Sequence, residues 1–74
     1  MRIEIKCFAS LAVHTPRERE MTVPDGAVVR DVMRTLGIAP EEVKIIFING
    51  VHAEPDAPLK ENDRLGLIPA VGGG

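Results

Sequence analysis

A single stripe of helical period, set among segments that alternate, constrains this 74-residue chain more than any other feature. Val28, Val29, Val32, Met33 and Leu36 recur at i, i+1, i+4, i+5 and i+8, so they share one face of a helix. Arg30, Asp31 and Arg34 fall on the opposite, wet face. Gly37 follows as the residue that closes a helix in a left-handed turn, with Ile38 beyond it as the apolar contact of that motif. Asp25, in a Pro24-Asp25-Gly26 turn, is the expected N-terminal cap, with the helix running from Ala27. This is the only helix long enough to cover a sheet, and its apolar face must be buried against one.

The strands are read from the period-2 segments. Arg2 to Ala9 puts Ile3, Ile5 and Cys7 on one face and Arg2, Glu4, Lys6 and Phe8 on the other. Phe8 is an aromatic on an otherwise charged face. Ser10 to Arg17 carries Pro16 and no sustained period, which predicts a loop, and Glu18 to Val23 predicts a second strand paired to the first. After the helix, Pro40-Glu41-Glu42 predicts one turn, with proline at an early helical position. Val43 to Ile48 is a strand apolar on both faces, so its outward parity is open. Asn49-Gly50 is a strong hairpin signal that returns Val51 to Glu54 as a short partner. Leu59 is expected to plug the core under a loop at 55–58. Glu61-Asn62-Asp63 is turn chemistry before a last strand, Arg64 to Ile68, which Pro69 is expected to stop because it has no N–H.

The element order is therefore β-β-α-β-β-β, an α+β two-layer domain. It has a mixed sheet of four or five strands and one main helix packed on one face. So many short strands with one helix suit the β-grasp arrangement, in which the first and last strands are parallel neighbours at the centre. Residues 1–69 are expected to form that domain and 70–74 a flexible glycine-rich tail.

Composition narrows the function. Net charge is −2 with acids and bases interspersed, and Tyr and Trp are absent, so neither a phosphate-neutralising block nor a base-stacking platform exists. No nucleic-acid role is expected. No apolar run is long enough to span a bilayer, and Met1 leads into a charged alternating segment unlike a signal peptide. A single cysteine excludes an internal disulfide, and a cytoplasmic location is expected. Cys7 lies on the inward parity and reads as a small buried hydrophobe. His14 and His52 are isolated, with no metal-ligand spacing around them. Asp63 reads as a turn former without a catalytic partner, so no catalytic residue and no metal are expected.

The chain closes on Pro69-Ala70-Val71-Gly72-Gly73-Gly74. A run of bare glycines makes a thin arm that can enter a narrow slot. Six extended residues reach about 20 Å.

Several pieces, in order, resemble the ubiquitin-like sulfur carriers, the family of the molybdopterin synthase small subunit and the thiamine sulfur carrier. They are Cys7-Phe8-Ala9-Ser10-Leu11, Val32 to Gly37, and Ile48-Asn49-Gly50. The run from Leu59 through Asn62-Asp63 to Ile68-Pro69-Ala70-Val71 and the final Gly-Gly matches best. The resemblance spans the whole chain. It departs at Gly72, where another residue type is usual, and at Ala27, where Ser or Thr often begins the helix.

The resemblance implies a carrier and not an enzyme. The Gly74 carboxylate would be adenylated by a ubiquitin-activating-type enzyme that uses ATP. A persulfide or sulfide would then displace AMP and leave a thiocarboxylate. The sulfur would pass to a larger synthase subunit or another sulfur-acceptor enzyme, and no cofactor is bound. Gly72 and Gly73 would thread the adenylation slot, while Phe8, Ile68, Pro69 and Val71 would form the dock. The molybdopterin branch is favoured over the thiamine branch by Phe8-Ala9-Ser10-Leu11 and by the Ile68-Pro69-Ala70-Val71 exit. The alternatives are a protein modifier joined to lysines through Gly74 and a β-grasp interaction module with an inert tail.

Overall fold

The computed structural model describes residues 1–70. Five strands, β1 (Arg2–Cys7), β2 (Glu20–Thr22), β3 (Val43–Ile48), β4 (Val51–Ala53) and β5 (Arg64–Pro69), form one sheet in the order β2-β1-β5-β3-β4. One α-helix, α1 (Val29–Leu36), packs on one face. β1 and β5 run parallel at the centre, from Glu4 opposite Arg64 to Cys7 opposite Leu67. The remaining pairings are antiparallel. This is the β-grasp arrangement expected from the element order.

The core follows from the two periods. Ile3, Ile5 and Cys7 of β1 and Leu65 and Leu67 of β5 project to the helix side, where they meet Val29, Val32 and Met33 of α1. Ile46, Leu11, Ile38 and Leu59 complete the cluster, so Leu59 is the core plug its isolation in a polar loop suggested. With two aromatics in the sequence and neither among the core residues, the interior is aliphatic.

Five local expectations need correction. The segment read as a loop after β1 contains a 3-10 helix, Ala9–His14. Ala9 sits at φ 48°, a left-handed turn that ends β1 at Cys7, two residues before the expected Ala9, and swings Leu11 back into the core. β2 begins at Glu20, not Glu18, because the backbone makes a second left-handed turn at Arg19, φ 60°.

The helix starts at Val29, and Asp25 does not cap it. Its free N–H groups find long-range partners instead. Val29 and Arg30 donate to the carbonyls of Ala57 and Pro55, at 3.1 and 2.8 Å, and the Asp31 carboxylate accepts from the Val28 N–H at 3.0 Å. Val28 itself forms an isolated antiparallel bridge with Pro58. Pro69 does not stop the ladder: it lies within β5, opposite Val43. Missing its N–H, it still fits the last strand position, and the next amide, Ala70, donates to the Glu42 carbonyl at 3.0 Å.

The turns behave as their residues dictate. Asn49 and Gly50 both take positive φ, 54° and 81°, the twist that matches a two-residue hairpin. Gly37 closes α1 at φ 78°, and the Ile38 N–H reaches the Met33 carbonyl at 2.9 Å.

Candidate functional site

The sheet has one face under α1 and one face open. Alternation along the strands decides which residues populate the open side. Leu65, Leu67 and Pro69 of β5 are buried, which turns Gly66 and Ile68 outward. Ile46 of β3 is buried, which turns Ile45 and Phe47 outward. The register then aligns them: Ile45 lies opposite Ile68, and Phe47 opposite Gly66. On β1, Lys6 pairs with Gly66, and Phe8 continues toward the end of β5, its N–H donating to the Leu67 carbonyl at 3.0 Å.

Phe8 is therefore brought beside β5. It keeps 38% of its surface exposed, and one ring edge leans over Gly66. The Lys6 ammonium lies 5.2 Å from the Phe8 ring centroid, a cation–π contact that leaves the amine wet. On the far side, Phe47 meets His52 edge to face, with ring centroids 6.3 Å apart. Phe8, Ile68, Ile45 and Phe47 thus make one apolar patch ending at the last residues of β5.

Of the residues expected to dock a partner, Phe8 and Ile68 come together on this face. Pro69 is buried, so its ring fixes the exit of β5 from inside and adds nothing to the open surface. Val71, Gly72, Gly73 and Gly74 lie outside the described residues. The expected tail start, Ala70, is still tied to the body through Glu42. Ile45, Phe47 and Gly66 were not singled out from the sequence. Val43 to Ile48 is apolar at both parities, so only its register against β5 selects the outward pair.

The end of the sheet opposite the tail root is held by Asp63, buried at 7% exposure. Its carboxylate accepts from Asn49 Nδ2 and from the Lys60 N–H, both at 2.8 Å. Asn49 Oδ1 in turn accepts from the Arg64 N–H at 2.9 Å, and the Asn49 N–H donates to the Arg64 carbonyl at 2.8 Å. These bonds fix the β3–β4 hairpin to the start of β5. Cys7 is buried beneath β1, where desolvation pushes its thiol above the usual range and the Thr15 side chain partly offsets the shift. Its Sγ belongs to the core and not to the open face. Among the described residues no three His, Cys, Asp or Glu groups gather as a metal site, and no helix is long and apolar enough to cross a membrane.

The comparisons with known proteins agree with this geometry. SAMP1 from Haloferax volcanii superposes with a TM-score of 0.71 at 27% identity, over all of both chains. The Haloferax volcanii HVO 2177 protein gives 0.73 at 25% identity, over all of this chain and 87% of that one. A putative molybdopterin converting factor, subunit 1, from Pyrococcus furiosus gives 0.74 over 96% and 99% of the two chains, and at 24% identity it is a likeness of fold. No curated protein matches the chain. The ThiS family pattern matches residues 5–74, from the second inward residue of β1 through the final glycines. This chain belongs to the ThiS family, with the β-grasp fold of the ubiquitin-like sulfur carriers and modifiers.

Proposed function

We propose that this protein is a sulfur carrier that works through its C-terminal glycine and contributes no catalytic group of its own. An α-carboxylate is ionised at neutral pH and is a poor electrophile. A ubiquitin-activating-type partner joins the Gly74 carboxylate to AMP, with pyrophosphate leaving ATP. Hydrosulfide then displaces AMP to give the thiocarboxylate directly. A persulfide does so through an acyl disulfide that a thiol reduces. Splitting the substitution in this way replaces one high barrier with lower ones. Gly72 and Gly73 pass the slot, and Phe8 and Ile68 dock the body. The single observation that carries the reading is the family match running through the terminal glycines.

Within that reading we favour transfer to a larger synthase subunit of the molybdopterin type over the thiamine type. The support is the Phe8-Ala9-Ser10-Leu11 stretch and the Ile68-Pro69-Ala70-Val71 exit. A second reading, conjugation of Gly74 to lysines of target proteins, is favoured by a specific likeness: SAMP1 of Haloferax volcanii covers this chain from end to end at 27% identity, and another structure from that organism bears the name small archaeal modifier protein 1.

Intact mass spectrometry of the protein from its own host separates these. Exchange of one oxygen for sulfur on the C-terminal peptide is the carrier result. A Gly74-to-lysine isopeptide is the modifier result. An unmodified terminus that stays unmodified with activating enzyme, ATP and a sulfur source overturns the carrier reading. One residue added after Gly74 abolishes either activity, provided it is not trimmed.

A further inference from the structure

The centre of the open face has a glycine that nothing in its own domain requires. Gly66 lies in the middle of β5, the central strand, between Lys6 of β1 and Phe47 of β3. Its φ is outside the left-handed region, so any residue could adopt its backbone. Nor does packing exclude a side chain. A Cβ there would sit 3.6 Å from Phe8 Cε2 and 3.8 Å from Phe47 Cβ, ordinary contact distances. Glycine in a strand interior weakens the strand and commonly marks a bulge, a bend or a close approach by a ligand or another backbone, and the irregularity in the β3–β5 pairing lies elsewhere, between Val43 and Ile45.

The bare position is ringed. Lys6 and Phe47 flank it across the sheet, Arg64 and Ile68 flank it along β5, and Phe8 leans in from one corner. The depression so formed is lined by Glu4, Lys6, Phe8, Phe47 and Arg64 around Gly66. Its rim carries two cations to one anion. Among the described residues neither Lys6 nor Arg64 has a carboxylate within ion-pair distance, a state they share with Arg17, Arg19, Lys44 and Lys60, and Glu4 stands opposite Arg64 in register.

We propose that the gap above Gly66 receives one apolar side chain of the partner protein, inserted between Phe8 and Phe47, with a partner carboxylate beside it facing Lys6 and Arg64. This rests on the docking part of the carrier reading and deepens it. Gly66 thereby determines specificity by its emptiness: the partner supplies the side chain that β5 omits. A partner apolar group that fills the gap covers both rings, and its neighbouring acid matches the unpaired cations.

The test is ATP–pyrophosphate exchange by the host's adenylating enzyme at increasing carrier concentration, with wild type, Gly66→Ala and Gly66→Leu. Gly66→Leu is expected to raise the half-saturating concentration at least tenfold while leaving the rate at saturation unchanged, and Gly66→Ala to do so less. Both variants are expected to unfold in urea at or above the wild-type midpoint. Equal half-saturation for Gly66→Leu and wild type overturns the proposal with the carrier reading intact, and so does a Gly66→Ala protein that fails to fold. Loss of concentration-dependent self-association on Gly66→Leu makes the occupant a second copy and overturns it as well.

No exchange even with wild type sinks the carrier reading. The gap is then judged by NMR titration with acetyl-Phe-Glu amide. Shifts centred on Lys6, Phe8 and Gly66 that vanish in Gly66→Leu sustain it, and scattered or absent shifts overturn it.

Discussion

At the residue scale, Asp63 does more than turn the chain. Its carboxylate holds Asn49 and the Lys60 amide, and Asn49 holds both backbone groups of Arg64. Removing a buried charged acceptor leaves its donors unmatched. Asp63→Ala is expected to cost about 2–4 kcal/mol in urea denaturation, from two charge-assisted bonds lost. A double-mutant cycle with Asn49→Ala is expected to show strong coupling, since the two residues share one network. Cys7 makes a pH prediction. Its folded thiol titrates above its unfolded value because burial disfavours the thiolate. The stability it contributes is complete below the unfolded pKa of about 8.5 and is lost as pH rises through the folded value. Denaturation midpoints between pH 8 and 10.5 are expected to fall more steeply for wild type than for Cys7→Ala. Asp63 was legible as a polar turn residue, but its partner Asn49 lies across the hairpin, and only the fold brings them together.

At the element scale, α1 shows how a helix can be foretold in place and missed at its end. The stripe from Val28 to Leu36 and the Gly37 closure were readable because both are local. The start was not, because its N–H groups are satisfied by Ala57 and Pro55, far along the chain. Asp31→Ala removes the carboxylate that reaches back to Val28 and is expected to cost about 0.5–2 kcal/mol, the range for a lost cap. Met33→Ala empties a site that is 1% exposed within the core cluster, and about 2–5 kcal/mol is expected. Thermal unfolding followed by circular dichroism ranks the two. An Asp31 effect as large as that of Met33 would mean the helix end, not its buried face, holds α1 in place.

At the scale of the whole molecule, the closed core and the exposed apolar patch lie on opposite faces of one sheet. The helix side is closed and aliphatic, while the open side carries Phe8, Ile45, Phe47 and Ile68 in a single patch. Phe8→Asp is therefore expected to shift the urea midpoint little. It should weaken partner binding by about 1.5–3 kcal/mol, the worth of burying such a side chain, as read by calorimetry with the adenylating enzyme. A collapse of stability in Phe8→Asp would instead assign the ring to the fold. Amide exchange divides the same way: β1, β5 and β3, paired on both sides, are expected to exchange slowest, and the three-residue edge strands β2 and β4 fastest.

The sequence by itself determined the element order, the identity of the inward residues of β1, the hairpin turn and the family. Each depends on period, local backbone preference or residues in fixed order, all of which are properties of neighbours along the chain. Tertiary structure alone decided the outward parity of β3, the burial of Pro69, the distant carbonyls that begin α1, and the empty place at Gly66. These depend on which residues from remote segments share a register, and a strand apolar at both parities has no local property that could choose its face.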